Sequence, residues 1–423
     1  MAKRRSWAGL VMVLILLAVL AAWWWPGGSL APFDDSDLRP VQASLAEDDN
    51  AWPALLAAAE HLRWPAELGK RSGHFAAPDT WEADRVAELL AENQEAWRWL
   101  ETALARDGIR VPAPQAFADD YDYLADWRRL ATLALIRAED LFRSGREAEA
   151  VAAVIEVVRL GHTLQDSGGV LIHYLVGASI SRAALEKLQA LTAQTSLPPE
   201  ALRESIRQLA PCGVSTEGLA NVLKNEYRMT LEFLVDLAAG RVNEAPISAW
   251  GQLAMGIGSK PFFSIARSRE RLAGLARAAV ADVDRPYADT GRAGRAVPTE
   301  DPSPLRLILS GNAIGNVLID MLSPAWERVL INKCREQVRH RATLLLLALK
   351  AYHAEHGDLP DTLEELVPKY LTAVPLDDFD GQPLRYLKAE RRIYSVGAQS
   401  IDSARSADNG ATQDPGLEFP IGF

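Results

Sequence analysis

The feature that most constrains the fold is a long amphipathic run in the C-terminal third of the chain. It extends from Pro324 to His356, and after its first residue neither proline nor glycine interrupts it. Its apolar residues recur at helical spacing, which predicts one long helix with an apolar face. Gly357 follows directly and is the predicted C-cap, because glycine readily adopts the left-handed conformation that ends helices.

Turn and strand signals follow this helix. Pro360, together with Asp361 or Thr362, is expected to begin a short second helix, with acidic residues near its positive end. Residues 377–381 have the composition of a turn. Residues 384–386 and 393–396 alternate as two paired strands would. The pattern predicts a small α+β module at the end of a mainly α-helical chain.

The order of these motifs resembles the C-terminal half of the major pseudopilin of type II secretion. The resemblance covers Tyr352 to about Asp414 and includes Gly-x-Leu-Pro, Val-Pro-x-Asp, Gly-x-Pro-Leu-x-Tyr and Tyr-Ser-x-Gly. In that family a loop after the last strands holds calcium, so the resemblance implies calcium ligands at Asp402, Asp408 and Asp414. The alternative is that these three carboxylates are simply solvated. The chain lacks the family's cleavage glycine and adjoining hydrophobic helix, so assembly into a pseudopilus by that route is not expected.

An apolar run at the N-terminus predicts a cellular location. Lys3, Arg4 and Arg5 precede an uncharged stretch, residues 6–25, which just reaches the length of about 20 residues that a membrane-spanning helix needs. Cations on its N-terminal side predict a single-pass protein of the bacterial inner membrane, with a cytoplasmic N-terminus and a periplasmic bulk. The alternative is a signal peptide cleaved after Ser29-Leu30-Ala31.

The remaining chain divides by composition. After the cytoplasmic tip and transmembrane anchor at 1–25, we predict a tether at 26–50, a helical array at 51–283, a surface loop at 284–304, and the long helix with its pseudopilin-like module at 305–423. Ala138 to Leu164 weakly resembles a tetratricopeptide hairpin. No strict 34-residue period occurs, so the prediction is an irregular helical-hairpin array.

Charge and motifs exclude several classes of function. The net charge of −11 makes nucleic acid an unexpected partner. The only cysteines, Cys212 and Cys334, form no Cys-x-x-Cys pair, and two separate buried thiols are favoured over a disulfide. The sequence contains no P-loop, GxGxxG or Gly-x-Ser-x-Gly motif. His162 and His173 flank Asp166, and we interpret these three as packing and capping residues.

These observations favour a non-catalytic function. The sequence predicts a membrane-anchored periplasmic interaction or scaffold protein, associated with a secretion or pilus-like envelope assembly. Its predicted partners are the inner membrane, through residues 6–25, and an envelope protein; no cofactor is predicted apart from calcium. The alternative is an envelope hydrolase whose site lies between the helical array and the C-terminal module. That alternative predicts a deep pocket with at least two convergent histidine or acidic side chains.

Overall fold

A computed structural model describes residues 33–41, 45–68, 82–112, 121–239, 241, 263–290, 312–322, 324–398 and 416–423. It confirms a mainly α-helical chain with a small three-stranded sheet at the C-terminus. The helices are α1 (Trp52–His61), α2 (Ala83–Glu92), α3 (Gln94–Leu104), α4 (Tyr123–Arg143), α5 (Glu147–Gln165), α6 (Leu171–Gln194), α7 (Pro199–Leu209), α8 (Thr216–Ala238), α9 (Ile265–Asp282), α10 (Ala313–Leu322) and α11 (Pro324–His356).

The described residues fall into two compact units. The first contains the described residues within Met1–Arg39, Leu223–Ala281 and Gly291–Arg328, and the second contains those within Pro40–Val222, Asp282–Thr290 and Val329–Phe423. In the first unit, the Asp35 carboxylate accepts hydrogen bonds from the Tyr227 hydroxyl at 2.6 Å and from Arg269 Nε at 2.9 Å. This charged contact holds the start of the described chain, which lies within the predicted tether, against α8 and α9.

The core of the second unit is built from consecutive helices that pack on one another. α4 and α5 form a hairpin around Gly145, whose φ of +77° lies in the left-handed region that the turn requires. α5 and α6 then cross at very short range: a Cβ atom on Gly161 would lie 2.6 Å from the carbonyl oxygen of Gly177. Glycine at both positions therefore permits an approach that any side chain would block.

One predicted helix is divided in two. The apolar pattern from residue 79 onward predicts a single helix that includes Leu100, but α2 ends and α3 begins on either side of Asn93. The buried Asn93 amide binds the backbone of Arg63 in both directions, accepting from its N–H at 2.7 Å and donating to its carbonyl at 3.0 Å. These contacts satisfy a polar side chain inside the core and draw the backbone out of helical geometry.

The C-terminal module contains the predicted turn and strands and one further strand. β1 (Arg385–Leu387), β2 (Arg392–Ser395) and β3 (Leu417–Pro420) form an antiparallel sheet in the order β1-β2-β3. The short second helix is a single 3₁₀ turn, Leu363–Leu366, which begins at a Thr362–Glu365 capping box. β3 was not predicted, and its antiparallel pairing with β2 defines it.

A fully buried carboxylate holds this module together. Asp377 accepts hydrogen bonds from the backbone N–H groups of Phe379 and Val396, at 3.0 and 2.9 Å, from the Ser395 hydroxyl at 2.9 Å and from Arg385 at 2.9 Å. Four donors on one carboxylate compensate much of the cost of burying its charge. The turn predicted from composition at residues 377–381 is thus fixed to β1 and β2.

The predicted membrane location requires correction. Within the part of the chain that the structure describes, no helix is both long and apolar enough to cross a membrane. This contradicts the prediction of a single-pass inner-membrane protein with a transmembrane helix, a signal anchor and a periplasmic bulk. α6 has the necessary length, but it carries Arg182, Glu186 and Lys187, and ionised side chains are costly in hydrocarbon. Residues 6–25, on which the prediction rests, lie outside the described residues.

Candidate functional site

A cleft of about 450 Å³ opens within the second unit. It lies between the α3–α4 connection, the C-terminal end of α5, the α7–α8 connection and the start of α8. We call it the α5–α8 cleft. Its lining residues are Val41, Leu45, Asp107–Arg110, Arg159, His162, Thr163, Asp166–Gly168, Pro211, Cys212, Ser215, Glu217 and Asn221.

A chain of polar side chains crosses one wall of this cleft. The Ser215 hydroxyl donates a hydrogen bond to Asp166 Oδ1 and accepts one at 2.9 Å from the backbone N–H of Gly218, which caps the start of α8. Asp166 Oδ2 lies 3.6 Å from His162 Nε2. His162 Nδ1 donates to the carbonyl oxygen of Gly213 at 2.6 Å, since a carbonyl can only accept. The order along the wall is therefore serine, aspartate, histidine.

Glycine at position 218 makes this arrangement possible. A Cβ atom there would lie 2.4 Å from Asp166 Oδ1 and 2.6 Å from the backbone oxygen of Gln165. Any side chain at this position would therefore separate the start of α8 from the end of α5. The close approach of two helix ends brings Asp166 and Ser215 together across 49 residues of sequence.

The α7–α8 connection, which contributes Ser215 to this wall, is held by hydrogen bonds to α11. His340 Nε2 donates to the carbonyl oxygen of Leu209 at 2.9 Å, and Gln337 Oε1 accepts from the Val214 N–H at 3.0 Å. Burial lowers the pKa of His340 to about 4, because the apolar surroundings disfavour the charged imidazolium. A neutral His340 thus positions the connection that carries Pro211, Cys212 and Ser215.

Neither cysteine is arranged for nucleophilic chemistry. Both thiols are free and buried, which is the arrangement that the sequence favoured over a disulfide. Cys212 lines the cleft, but burial raises the pKa of its thiol to about 11. Burial also raises the pKa of Cys334. Only the thiolate attacks, so these thiols are poorly suited to act as nucleophiles near neutral pH.

The structure separates the histidines that the sequence places around Asp166. His162 lies beside this carboxylate, whereas His173 lies in an aromatic cluster, where its Nε2 is 2.6 Å from the Tyr123 hydroxyl. Val170 donates its N–H to His173 Nδ1 at 3.2 Å, so Nε2 carries the proton in the neutral ring. Burial lowers the pKa of His173 to about 4. The prediction of packing therefore describes His173 well, but it overlooked the cleft beside His162.

The calcium candidates Asp402, Asp408 and Asp414 lie outside the described residues, so the calcium site stays a prediction. Across the described ranges, no group of three or more histidine, cysteine or acidic side chains is placed to hold a metal ion. His356, at the end of α11, lies stacked on Tyr352, with its Nδ1 2.9 Å from the carbonyl oxygen of that residue.

Sequence reasoning missed Arg110, Ser167 and Ser215 as lining residues of a common cleft. A serine directly before a helical pattern is a recognisable capping signal, and Ser215 could have been found in that way. No local pattern in the sequence indicated that the three segments carrying these residues meet in one cleft. Comparisons with protein-family models, with curated proteins and with solved structures find no match for this chain.

Proposed function

We propose that the chain is a protein-interaction or scaffold protein that binds a short segment of a partner protein in the α5–α8 cleft. The observation that carries this proposal is the order of the polar groups in the cleft wall. Asp166 lies between Ser215 and His162, and the serine hydroxyl already donates to this carboxylate. These groups build and stabilise a surface rather than activate a nucleophile.

The hydrolase alternative requires a different order. A serine nucleophile needs an imidazole that accepts its proton, while the carboxylate orients the imidazole from the far side. In this cleft the Ser215 proton is directed to Asp166 instead, and the Ser215 oxygen accepts from the Gly218 backbone. The cleft also lies within the helical region, rather than between that region and the C-terminal module as the alternative predicts.

The size and rim of the cleft support binding of a segment. A volume of about 450 Å³ is within the range of about 300–1,000 Å³ that is typical of ligand sites. Val41 lies at the cleft with 62% of its surface exposed, and its backbone N–H binds Asn221 Oδ1 at 3.0 Å. An apolar side chain held in this way is available for contact with a partner.

The fold around the cleft is consistent with the same proposal. We propose that the helices from α1 to α9 form an irregular helical-hairpin array and that α11 leads into a pseudopilin-like module. The tight α4–α5 and α5–α6 packing supports the first part, and the order of α11, 3₁₀ turn and paired strands supports the second. Arrays of helical hairpins commonly present concave surfaces to partner segments.

Selection of peptides on the full chain tests this proposal. A random heptapeptide display library is enriched on the wild-type protein, and the selected peptides are then measured by fluorescence anisotropy against two variants. Thr163→Trp places an indole in the cleft, and Ala87→Trp places the same indole on an exposed position of α2. We expect saturable binding that Thr163→Trp abolishes and Ala87→Trp leaves unchanged.

Two results would refute the proposal. One is enrichment of no peptide whose binding depends on Thr163. The other is turnover of a panel of ester and amide substrates that disappears in both Thr163→Trp and Ser215→Ala, because such a pattern would place hydrolysis in the cleft. Circular dichroism and melting of each variant exclude simple unfolding as the cause.

A further inference from the structure

The charges that line the α5–α8 cleft are unequally compensated. Both of its arginines have a carboxylate partner: Arg110 Nη2 lies 2.8 Å from Glu47 Oε1, and Arg159 pairs with Glu156. Neither partner carboxylate lines the cleft. The positive charges are therefore neutralised from outside the cleft.

The acids that line the cleft lack such neutralisation. Asp107 and Glu217 are exposed lining residues, and within the described ranges neither has an ion-pair partner. Within the described ranges the one basic group paired with Asp166 is the imidazole of His162, at 3.6 Å, and the Ser215 hydroxyl that also binds this carboxylate is uncharged. Carboxylates that no cation neutralises, in a concave site with apolar walls, produce a negative potential that attracts cations.

A buried hydroxyl at the same place provides an independent observation. Ser167 lines the cleft and is only 2% exposed, yet across the described chain its Oγ has no hydrogen-bond partner. A buried polar group without a partner costs about 1–3 kcal/mol, so it is seldom retained without a use. A serine oxygen can accept from an ammonium or guanidinium group, and these groups have no acceptor of their own.

We infer that the α5–α8 cleft selects a lysine or arginine side chain of the partner segment. The aliphatic part of such a side chain fits the apolar lining, to which Leu45, Ile109 and Pro211 contribute. Its charged end is attracted by Asp107, Asp166 and Glu217. This inference rests on the proposed function, since it specifies the chemistry of the segment that the cleft binds.

Four peptide mixtures of matched length test the inference on the full chain. Each is an acetylated and amidated heptapeptide with random uncharged residues around a central lysine, arginine, norleucine or glutamate. We expect the lysine and arginine mixtures to bind in a saturable manner that Thr163→Trp abolishes, and the other two not to bind. Free N-acetyl-lysine amide is expected to bind much more weakly, because the cleft also contacts the backbone of the segment.

Charge neutralisation in the protein provides the matched variants. Glu217→Gln and Asp107→Asn are each expected to weaken binding of the lysine mixture about 2- to 5-fold, as is usual for exposed ion pairs. Glu92→Gln, which removes an exposed acid of α2 outside the cleft, should leave binding unchanged. Added salt should weaken binding to wild type more than to the neutralised variants.

The outcomes separate this inference from the function on which it rests. If all four mixtures bind and Thr163→Trp abolishes binding, the cleft binds segments without regard to charge, and only the inference is overturned. If no mixture binds, both are overturned. If the lysine mixture binds but is indifferent to Glu217→Gln and Asp107→Asn, the cation is recognised elsewhere and the inference fails.

Discussion

The crossing of α5 and α6 gives a quantitative prediction for Gly161→Ala. A Cβ atom at position 161 would lie 2.3 Å from Ser181 Oγ, 2.6 Å from the Gly177 oxygen and 2.7 Å from the Ser181 nitrogen. The hydroxyl could rotate away, but the two backbone atoms could not. The helices would therefore have to separate, and a gap of about 0.5–1 Å forfeits roughly a quarter to a half of the dispersion energy of the contacts concerned.

The magnitude follows from two opposing effects. Alanine is favoured over glycine within a helix by about 1 kcal/mol. Overpacking of a core typically costs about 1–3 kcal/mol, and contacts with rigid backbone belong at the upper end of that range. We therefore expect Gly161→Ala to lower the free energy of unfolding by about 2 kcal/mol. Because His162 and Thr163 follow on the same helix and Asp166 comes directly after its end, peptide binding in the cleft should weaken as well.

Gly274→Ala is the matched control, with the opposite expected sign. Gly274 lies within α9, and a Cβ atom there would meet no atom within 4 Å. Only the helical preference remains, so this variant should gain about 0.5–1 kcal/mol. Urea unfolding and hydrogen exchange of peptides from α5, α6 and α9 measure both changes. Unchanged or greater protection of α5 and α6 in Gly161→Ala would refute the reasoning.

Three further predictions concern buried polar groups. Burial lowers the pKa of His340 from 6.5 to about 4, so the unfolded chain binds a proton at a higher pH than the folded chain does. Stability is therefore lost as pH falls from 6.5 to about 4, by up to about 3 kcal/mol. His340→Gln should flatten the pH dependence of the urea midpoint, and an unaltered slope would contradict this. Asp377→Asn should lower the free energy of unfolding by about 2–4 kcal/mol, because the amide NH₂ of asparagine would face groups that are themselves hydrogen-bond donors. Asp361→Asn removes one partner of an exposed ion pair and should lower it by less than about 1 kcal/mol. Equal shifts in melting temperature for the two variants would count against the buried network. Ellman's reagent should react slowly with native Cys212 and Cys334 and quickly with both after unfolding, so rapid native reaction would show that the thiols are accessible.

Helix boundaries were predicted well wherever the signal was local. α11 has the predicted bounds, because Pro324 favours a first helical turn and Gly357, with a φ of +79°, ends the helix. A hairpin was also predicted within Ala138 to Leu164, and its turn lies at Gly145. The break at Asn93 was not, because the residue's own preference is compatible with a helix end or interior and only contacts with Arg63 decide between them.

The candidate site was predictable only in fragments. His162 lies in the last turn of α5 and Asp166 is the C-cap four residues later, a spacing that places their side chains on one face. Ser215 and Asp107 belong to other segments of the chain. The sequence of each segment does not indicate that these segments lie close together in the fold. The folded chain likewise decides which of the acidic residues that line the cleft have no ion-pair partner.

The sequence by itself determined the helical class of the chain, both ends of α11 and the strands of β1 and β2, since periodicity, capping residues and glycine act over a few neighbouring positions. Tertiary structure alone decided the pairing of β3, the α5–α6 crossing and the α5–α8 cleft. Each of these depends on groups distant in sequence that approach to within a few ångströms, such as Asp166 and Ser215. Packing and burial determine such contacts, because they depend on which surfaces of helices and strands meet and not on which residues are neighbours in sequence.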